Sequence, residues 1–211
     1  MNEYTRARSD EQKAERMEEI KNSAISLFEE YPYTEITLTT IAERLKWSRA
    51  NLYKYVTTKE EIFLEITKDK MQAYYGSLKA AFPQNNGFSK EIIAEVWAGI
   101  INANKEYMRY VAYLSPIIET NVTVERLAIF KKAYYDEAFI FCELLKSMLN
   151  ISEEKAYSLQ LDVLMYSSSK MMCCYNNPLI IQALELLKIK APQSDFLAEV
   201  KDFILMKLER L

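Results

Sequence analysis

TLTTIAERLKWSRANLYKYVTTKEEIF, residues 37–63, holds two short apolar stripes separated by three or four residues. Leu38, Ile41, Ala42 and Leu45 recur at the spacing of one helix face. The second stripe is thinner, with only Leu52 and Val56 facing inward alongside Ala50. Thr37 predicts an N-cap for the first helix and Ser48 for the second, because their hydroxyls can accept from otherwise unpaired amides. Thr58, with Glu61 three residues on, predicts a capping box at the start of a third. Two short helices so spaced make a helix-turn-helix. The first anchors itself by its apolar face, whereas the second turns Arg49, Asn51, Tyr53, Lys54 and Tyr55 towards something else.

Charge says what that something is. Over Thr37–Lys59, Arg44, Lys46, Arg49, Lys54 and Lys59 stand against the single acid Glu43. The whole chain of 211 residues is nevertheless acidic, with 27 Lys and Arg against 30 Asp and Glu, a formal net charge of −3. A local basic patch on an acidic protein suits a small anion-binding face. Arg and Asn read base edges in a major groove, while Lys and Tyr hydroxyls suit phosphate oxygens. Lys59 falls in the first turn of its helix, where the macrodipole disfavours a cation. A phosphate held there by free N–H groups and the ammonium together would account for it.

Working outward, half the residues are apolar, 27% are charged, and only 3 Gly and 5 Pro occur, which is the composition of a globular all-α protein. Ser9 and Gln12 read as a capping box for a first helix, whose stripe is Met17, Ile20, Ala24, Leu27, Phe28 and Tyr31. Pro32 ends it by forcing Tyr31 out of the helical region. The helix opening at Thr58 continues through Ile62, Phe63, Ile66 and Ala73 to Phe82, and PQNNG (83–87) is the clearest break. Helical patterns then cover Ser89–Leu114 (interrupted near Asn104 and stopped by Ser115-Pro116), Thr123–Leu149 and Ser152–Cys174. A short helix follows Pro178, and a last one spans Ser194–Leu211. The total is nine or ten helices, with no internal repeat.

Histidine is absent, which removes Ser-His and Cys-His catalysis, His-ligated metals and the commonest general base. With no Gly-rich phosphate loop, metal-ligand cluster or nucleophile elbow either, no enzyme activity, cofactor or metal is expected. No apolar run approaches the roughly 18–20 residues of a membrane span. The N-terminus is charged throughout and lacks a signal-peptide core. Three cysteines, Cys142, Cys173 and Cys174, make no disulfide framework, and a cytoplasmic location is expected. Adjacent Cys173 and Cys174 read as buried structural thiols more readily than as a redox pair.

Residues 37–63 resemble the DNA-binding segment of TetR-family transcriptional regulators. The resemblance lies in a Thr cap, Ile-Ala in the second helix, a Ser cap, Leu-Tyr in the third helix and Lys-Glu-Glu opening the fourth. The sequence departs from the family at Leu45-Lys46, where Ala-Gly is usual, at Trp47 in place of a small aliphatic, and at Val56 in place of Phe. Lys46 must therefore accept a left-handed conformation or reshape the turn.

The resemblance implies a DNA-binding domain over residues 1–60 and a helical ligand-binding and dimerisation domain over 61–211. It implies that Ser48 caps the recognition helix, with Arg49, Ala50, Asn51 and Lys54 facing bases. Tyr53, Tyr55, Lys59 and Thr39 would then hold the phosphate backbone. A homodimer on a pseudo-palindromic duplex operator follows from the family, acting as a repressor more often than as an activator.

In the larger part the family implies a small-molecule effector. Trp97, Tyr107, Met108, Tyr110 and Tyr113 are candidate pocket residues, joined by Phe139, Met165, Tyr166 and Met171. The same residues at helical spacing also read as ordinary core. On the last helix Phe196, Leu197, Val200, Phe203, Ile204 and Leu208 form a wide stripe that suits a partner subunit or the domain's own core. A helical interaction module with a degenerate helix-turn-helix is the alternative, and salt-dependent binding to duplex DNA separates the two.

Overall fold

The computed structural model describes residues 3–82, 87–174, 178–190 and 194–211. Within them the chain forms α1 (Glu3–Glu30), α2 (Leu38–Leu45), α3 (Arg49–Leu52), α4 (Lys59–Ala81) and α5 (Lys90–Ala103). After these come α6 (Lys105–Tyr113), α7 (Val124–Leu149), α8 (Glu153–Cys174), α9 (Pro178–Leu186) and α10 (Phe196–Glu209). No strand occurs among the described residues, and the fold is all-α with an N-terminal helix-turn-helix.

Local chemistry explains most boundaries. Thr37 and Thr40 cap α2 reciprocally, the Thr37 hydroxyl accepting from the Thr40 amide at 3.1 Å. Ser48 accepts from Asn51 N at 3.2 Å and Ser89 from Ile92 N at 3.4 Å. Asn104 separates α5 from α6 by donating its side-chain amide to Ile100 O at 2.9 Å.

Several expectations need correction. α1 begins at Glu3, so Ser9 lies inside the helix and does not cap it; the charged residues before it are good helix formers, uninterrupted by Gly or Pro. Pro116 does not end the helical path. Leu114–Ile118 widens into a π-helical turn closed by Glu119 N on Leu114 O at 2.9 Å, a turn that tolerates the missing proline N–H. The last helix starts at Phe196, two residues later than expected, with Asp195 as its cap accepting from Ala198 N at 3.1 Å. Ala73 is exposed, and the inward face of that part of α4 is Met71, Tyr74, Tyr75 and Leu78. Of the 83–87 break only Gly87 lies within the described residues, with a left-handed φ of 60°.

The chain divides into two compact units. The first comprises the chain up to Thr67 together with Leu114–Phe130; the second comprises Lys68–Tyr113 and Lys131–Leu211. Phe63 forms the centre of the first, its ring 5.4 Å from Phe28 and 4.8 Å from Tyr33 in edge-on geometry. Burying such a ring contributes about 1.5–3 kcal/mol, with about 0.5–1.5 more for each aromatic pair. In the second unit α10 lies along α5 and α8, with Val200, Ile204 and Leu208 fully buried. Lys201 pairs with Glu95 at 2.9 Å and Lys90 donates to Leu208 O at 2.6 Å.

Candidate nucleic-acid interface

The interface is built by what its residues do not bury. In α2 only Ile41 and Ala42 are fully buried, and in the turn from α3 to α4 only Leu52 and Val56. Ala50, expected to lie alongside these two, is exposed with Arg49, Tyr53 and Lys54, while Asn51 is half-buried. A tyrosine 55% exposed beside two free-standing basic groups is poor use of an aromatic unless a partner covers it. Thr39 is half-exposed on α2.

The turn between α2 and α3 is made without glycine. Lys46 takes φ 57° and ψ 36°, closing α2 with its own amide on Glu43 O at 3.0 Å and that of Trp47 on Ala42 O at 2.9 Å. These are the bonds of a left-handed helix terminator. Trp47 is half-buried, its ring 5.9 Å from that of Tyr55, with the Arg16 guanidinium 5.4 Å from the Trp47 ring centre. An aromatic wedge thus fills the space after the turn.

Lys59 is placed differently from the expectation of a phosphate ligand. Its ammonium donates to Tyr33 O at 2.8 Å and Ile36 O at 2.7 Å, and lies 4.1 Å from the Tyr33 ring centre. Burial lowers its pKa, opposed by Glu60. The lysine clamps the α1–α2 connection. Its charge offsets the two carbonyls, which is why the α4 macrodipole tolerates it.

Sequence reasoning missed a further member. Arg126, on the first turn of α7, donates Nη2 to Tyr55 O at 2.9 Å and sets Nε 3.3 Å from the Glu61 carboxylate. Glu61 is 1% exposed and also accepts from Thr57 N at 2.8 Å and Thr57 Oγ1 at 3.0 Å. Thr58 donates to Asn121 O at 3.0 Å. The predicted cap at Thr58 forms, its hydroxyl accepting from Glu61 N at 3.2 Å, while the Glu61 carboxylate closes back on Thr57 and not on Thr58. The 114–130 segment braces the end of the recognition helix. Nothing in the spacing of 37–63 signals a brace some seventy residues away. On α1, Glu30 receives both guanidinium nitrogens of Arg44 at 2.8 and 2.6 Å, and that bonding holds its pKa below the usual carboxylate range.

In the second unit Trp97, Tyr107, Met108 and Tyr110 are buried in the core. Trp97 and Tyr107 share Tyr74, which accepts from Trp97 Nε1 at 2.9 Å and lies ring to ring 5.3 Å from Tyr107. Phe139 and Met165, 49% and 47% exposed, line no interior pocket. Phe139 instead stacks on exposed Tyr135 at 5.8 Å. Tyr166 stacks on Phe203 at 3.9 Å between α8 and α10, and Tyr113 and Met171 are half-buried. Of the residues expected at a dimer interface, Val200, Ile204 and Leu208 belong to the chain's own core, because α5 covers that face of α10. Phe196 and Phe203 remain half-exposed. Cys142 is buried, burial pushing its pKa up to about 11. Cys173, expected to be buried, is exposed; the Cys174 side chain lies outside the described residues.

A short Ser-capped helix presenting Arg, Asn, Tyr and Lys from a braced helix-turn-helix defines a DNA-binding regulator. The comparisons give its family. Residues 20–66 match the model for bacterial regulatory proteins of the tetR family, and residues 68–209 match a tetracyclin repressor-like C-terminal domain. The chain belongs to the TetR family of transcriptional regulators. Among solved structures it is similar to the fatty acid degradation regulator FadR from Bacillus halodurans, at 14% identity over 92% of this chain and 94% of that one, TM-score 0.60. It is also similar to a TetR/AcrR-family regulator from Thermobifida fusca YX-ER1, at 18% identity over 92% and 96%, TM-score 0.59. At these identities the likeness is one of fold. No curated protein sequence matches the chain. No helix among the described residues is long and apolar enough to cross a membrane.

Proposed function

We propose that this regulator is a ligand-responsive repressor that binds a pseudo-palindromic operator as a homodimer. The observation that carries the DNA contact is the outward cluster of Arg49, Tyr53 and Lys54 on a helix held by Ser48 and Arg126. Arg49, Ala50, Asn51 and Lys54 face bases; Tyr53, Tyr55 and Thr39 lie on the backbone. Residues 1–60 read the operator and 61–211 bind effector and dimerise, with 114–130 lent to the reading head as a buttress.

One short helix reads few bases. Two heads about one helical turn apart, roughly 34–36 Å, multiply the discrimination. The support for a second copy is apolar surface: Met165 on α8, Leu197 and Met206 on α10, and Ile180 and Leu186 on α9 are all exposed, Leu186 by 85%. Exposed apolar side chains on α8 and α10, two helices that pack together, suit an interaction site. The remaining half-exposed residues, Phe196 and Phe203 with Tyr166, belong to the same two helices.

The test is fluorescence anisotropy with duplex from upstream of the protein's own gene against scrambled duplex across a salt series, with light scattering on the free protein. Specific binding is expected, with log K falling by about 0.9 per log unit of salt for each phosphate neutralised. Lys54→Ala is expected to weaken specific binding by at least about tenfold, a loss of about 1–3 kcal/mol. A monomer at micromolar concentration, or Lys54→Ala binding like wild type, would sink the proposal. Because one of the similar structures regulates fatty acid degradation, acyl compounds belong in the first effector screen.

A further inference from the structure

The core of the second unit holds polar atoms that the fold does not satisfy. Tyr75 Oη on α4 and Gln160 Nε2 on α8 are buried without a close hydrogen-bond partner, and their residues are 0% and 1% exposed. A buried polar group left unpaired is destabilising, and native cores contain few. With Ser167 Oγ, also buried and unpartnered on α8, three such groups in one unit ask for an occupant.

Tyr75 and Gln160 lie on a connected path. The Tyr75 ring is 6.4 Å from that of Tyr134 and 6.4 Å from that of Phe141. The Tyr134 hydroxyl lies close to that of Tyr75, and the weak hydrogen bond between them uses one of the two phenolic protons and leaves the other to give. Cys142 acts electrostatically on Tyr134. Cys142 Sγ in turn approaches Gln160 Oε1 at 3.7 Å, so the amide oxygen is used and its NH₂ is not. Flat rings surround this line: Trp97 lies 5.1 Å from Phe141, and Tyr107 joins through Tyr74.

The chemistry of the missing partner can be read from these groups. A phenolic O–H and an amide NH₂ both donate, so the partner must accept. The groups that act on the Tyr74, Tyr75, Tyr107 and Tyr134 hydroxyls are other tyrosines, Trp97 and Cys142, with no lysine, arginine or carboxylate among them. At the Gln160 end Cys142 feels Lys146, but Glu153 and Glu143 act on it more strongly, so the field there also opposes an anion. An anion placed there would be desolvated without a counter-charge. The aromatic walls favour a flat body. We propose that the α4–α7–α8 core around Tyr75 and Gln160 binds an uncharged, planar effector through a carbonyl-type acceptor, to which Tyr75 Oη and Gln160 Nε2 donate. The proposal rests on the reading of this unit as effector-binding.

The full-length protein is titrated calorimetrically, without DNA, with 2-acetylnaphthalene, 2-ethylnaphthalene and 2-naphthoate. Saturable binding of the ketone is expected, at least about tenfold tighter than the hydrocarbon or the carboxylate, the worth of one well-made hydrogen bond to a buried donor. Tyr75→Phe and Gln160→Met, each checked for folding by circular dichroism, are expected to bring ketone and hydrocarbon to parity. No saturable binding of any probe overturns the site. An unchanged ketone preference in both variants overturns the role of the two donors. A Tyr75→Phe variant that melts higher than a wild type unable to bind ketone would show that the donors serve buried water only, and would overturn the proposal as well. Operator affinity is measured separately. Ketone binding that leaves it unchanged keeps the site and refutes ligand-responsive repression, whereas operator binding without ketone binding refutes the site alone.

Discussion

A single lysine separates two accounts of the α4 N-terminus. If Lys59 held a phosphate, its removal would lower the salt dependence of DNA binding by about one counterion and leave the free protein as stable as before. Its ammonium instead bridges Tyr33 O and Ile36 O, and hydrogen bonds from a charged donor are worth about 1.5–3 kcal/mol each before the exposed fraction is discounted. Lys59→Met is therefore expected to cost about 1–2 kcal/mol in urea unfolding of the free protein, with the salt slope of operator binding unchanged. A lowered slope at full stability would restore the phosphate role. Lys46 gives the opposite sign. It adopts a left-handed φ of 57°, where a side chain is strained and glycine is not. Lys46→Gly should raise the melting temperature, by an amount equivalent to about 0.5–1 kcal/mol. The family's usual glycine was legible as a missing residue at this position. That Lys46 keeps the turn, with Trp47 packed behind it against Tyr55 and Arg16, depends on partners from other elements and could not be read from local spacing.

Elements rather than residues decide whether the recognition helix is rigid. α3 has four residues, too short to hold itself in water, so its ends must be fixed from outside. Ser48 fixes the start and Arg126 the finish, the latter by taking Tyr55 O and the buried Glu61 carboxylate together. Removing Arg126 leaves a buried carboxylate with only Thr57 for company. One-sided loss of a buried pair costs about 3–5 kcal/mol, discounted here because Arg126 is itself about a third exposed. Arg126→Met is expected to destabilise the protein by about 2–3 kcal/mol and to weaken operator binding although Arg126 touches no base. Adding Glu61→Gln should recover part of the stability, since the amide oxygen still accepts from Thr57 while the stranded charge is gone. A double-mutant cycle on unfolding free energies measures this, and strict additivity would refute the pairing. The same contrast shows what sequence could and could not tell. The bounds of α2, the caps at Thr37 and Ser48, and the break at Asn104 are local, and short-range spacing carries them. The brace from α7 and the α5 cover on Val200, Ile204 and Leu208 are contacts between distant segments. An apolar stripe on α10 looks the same whether a partner or the chain's own helix covers it.

At the scale of the whole molecule, the 15 tyrosines of a chain without histidine set its response to pH. Burial raises the pKa of Tyr74, Tyr75 and Tyr107 above the ordinary phenol value, and that of Tyr134 to about 12. All four belong to the second unit. The unfolded chain releases these protons near pH 10, whereas the folded chain retains them, so unfolding releases protons throughout the interval between. Below pH 10 both states are protonated and the contribution to stability is complete. From pH 10 upward stability falls, by up to about 1.4 kcal/mol per pH unit for each retained proton. Lys59 acts in the other direction. Its folded pKa is lowered, so the unfolded state holds the extra proton and stability rises slightly as pH climbs towards 10.5. One half-buried lysine in the first unit cannot offset four phenols in the second. Titration followed by tyrosinate absorbance and helical circular dichroism should therefore show two steps. Solvated phenols ionise first, near pH 10, with helicity intact, and the buried group ionises only as helicity collapses, between about pH 11 and 12. If all the tyrosinate absorbance developed near pH 10 while the helices persisted, the phenols would have to be solvated in the native state. The dry, uncharged surroundings inferred for Tyr75 and Gln160 would then be wrong.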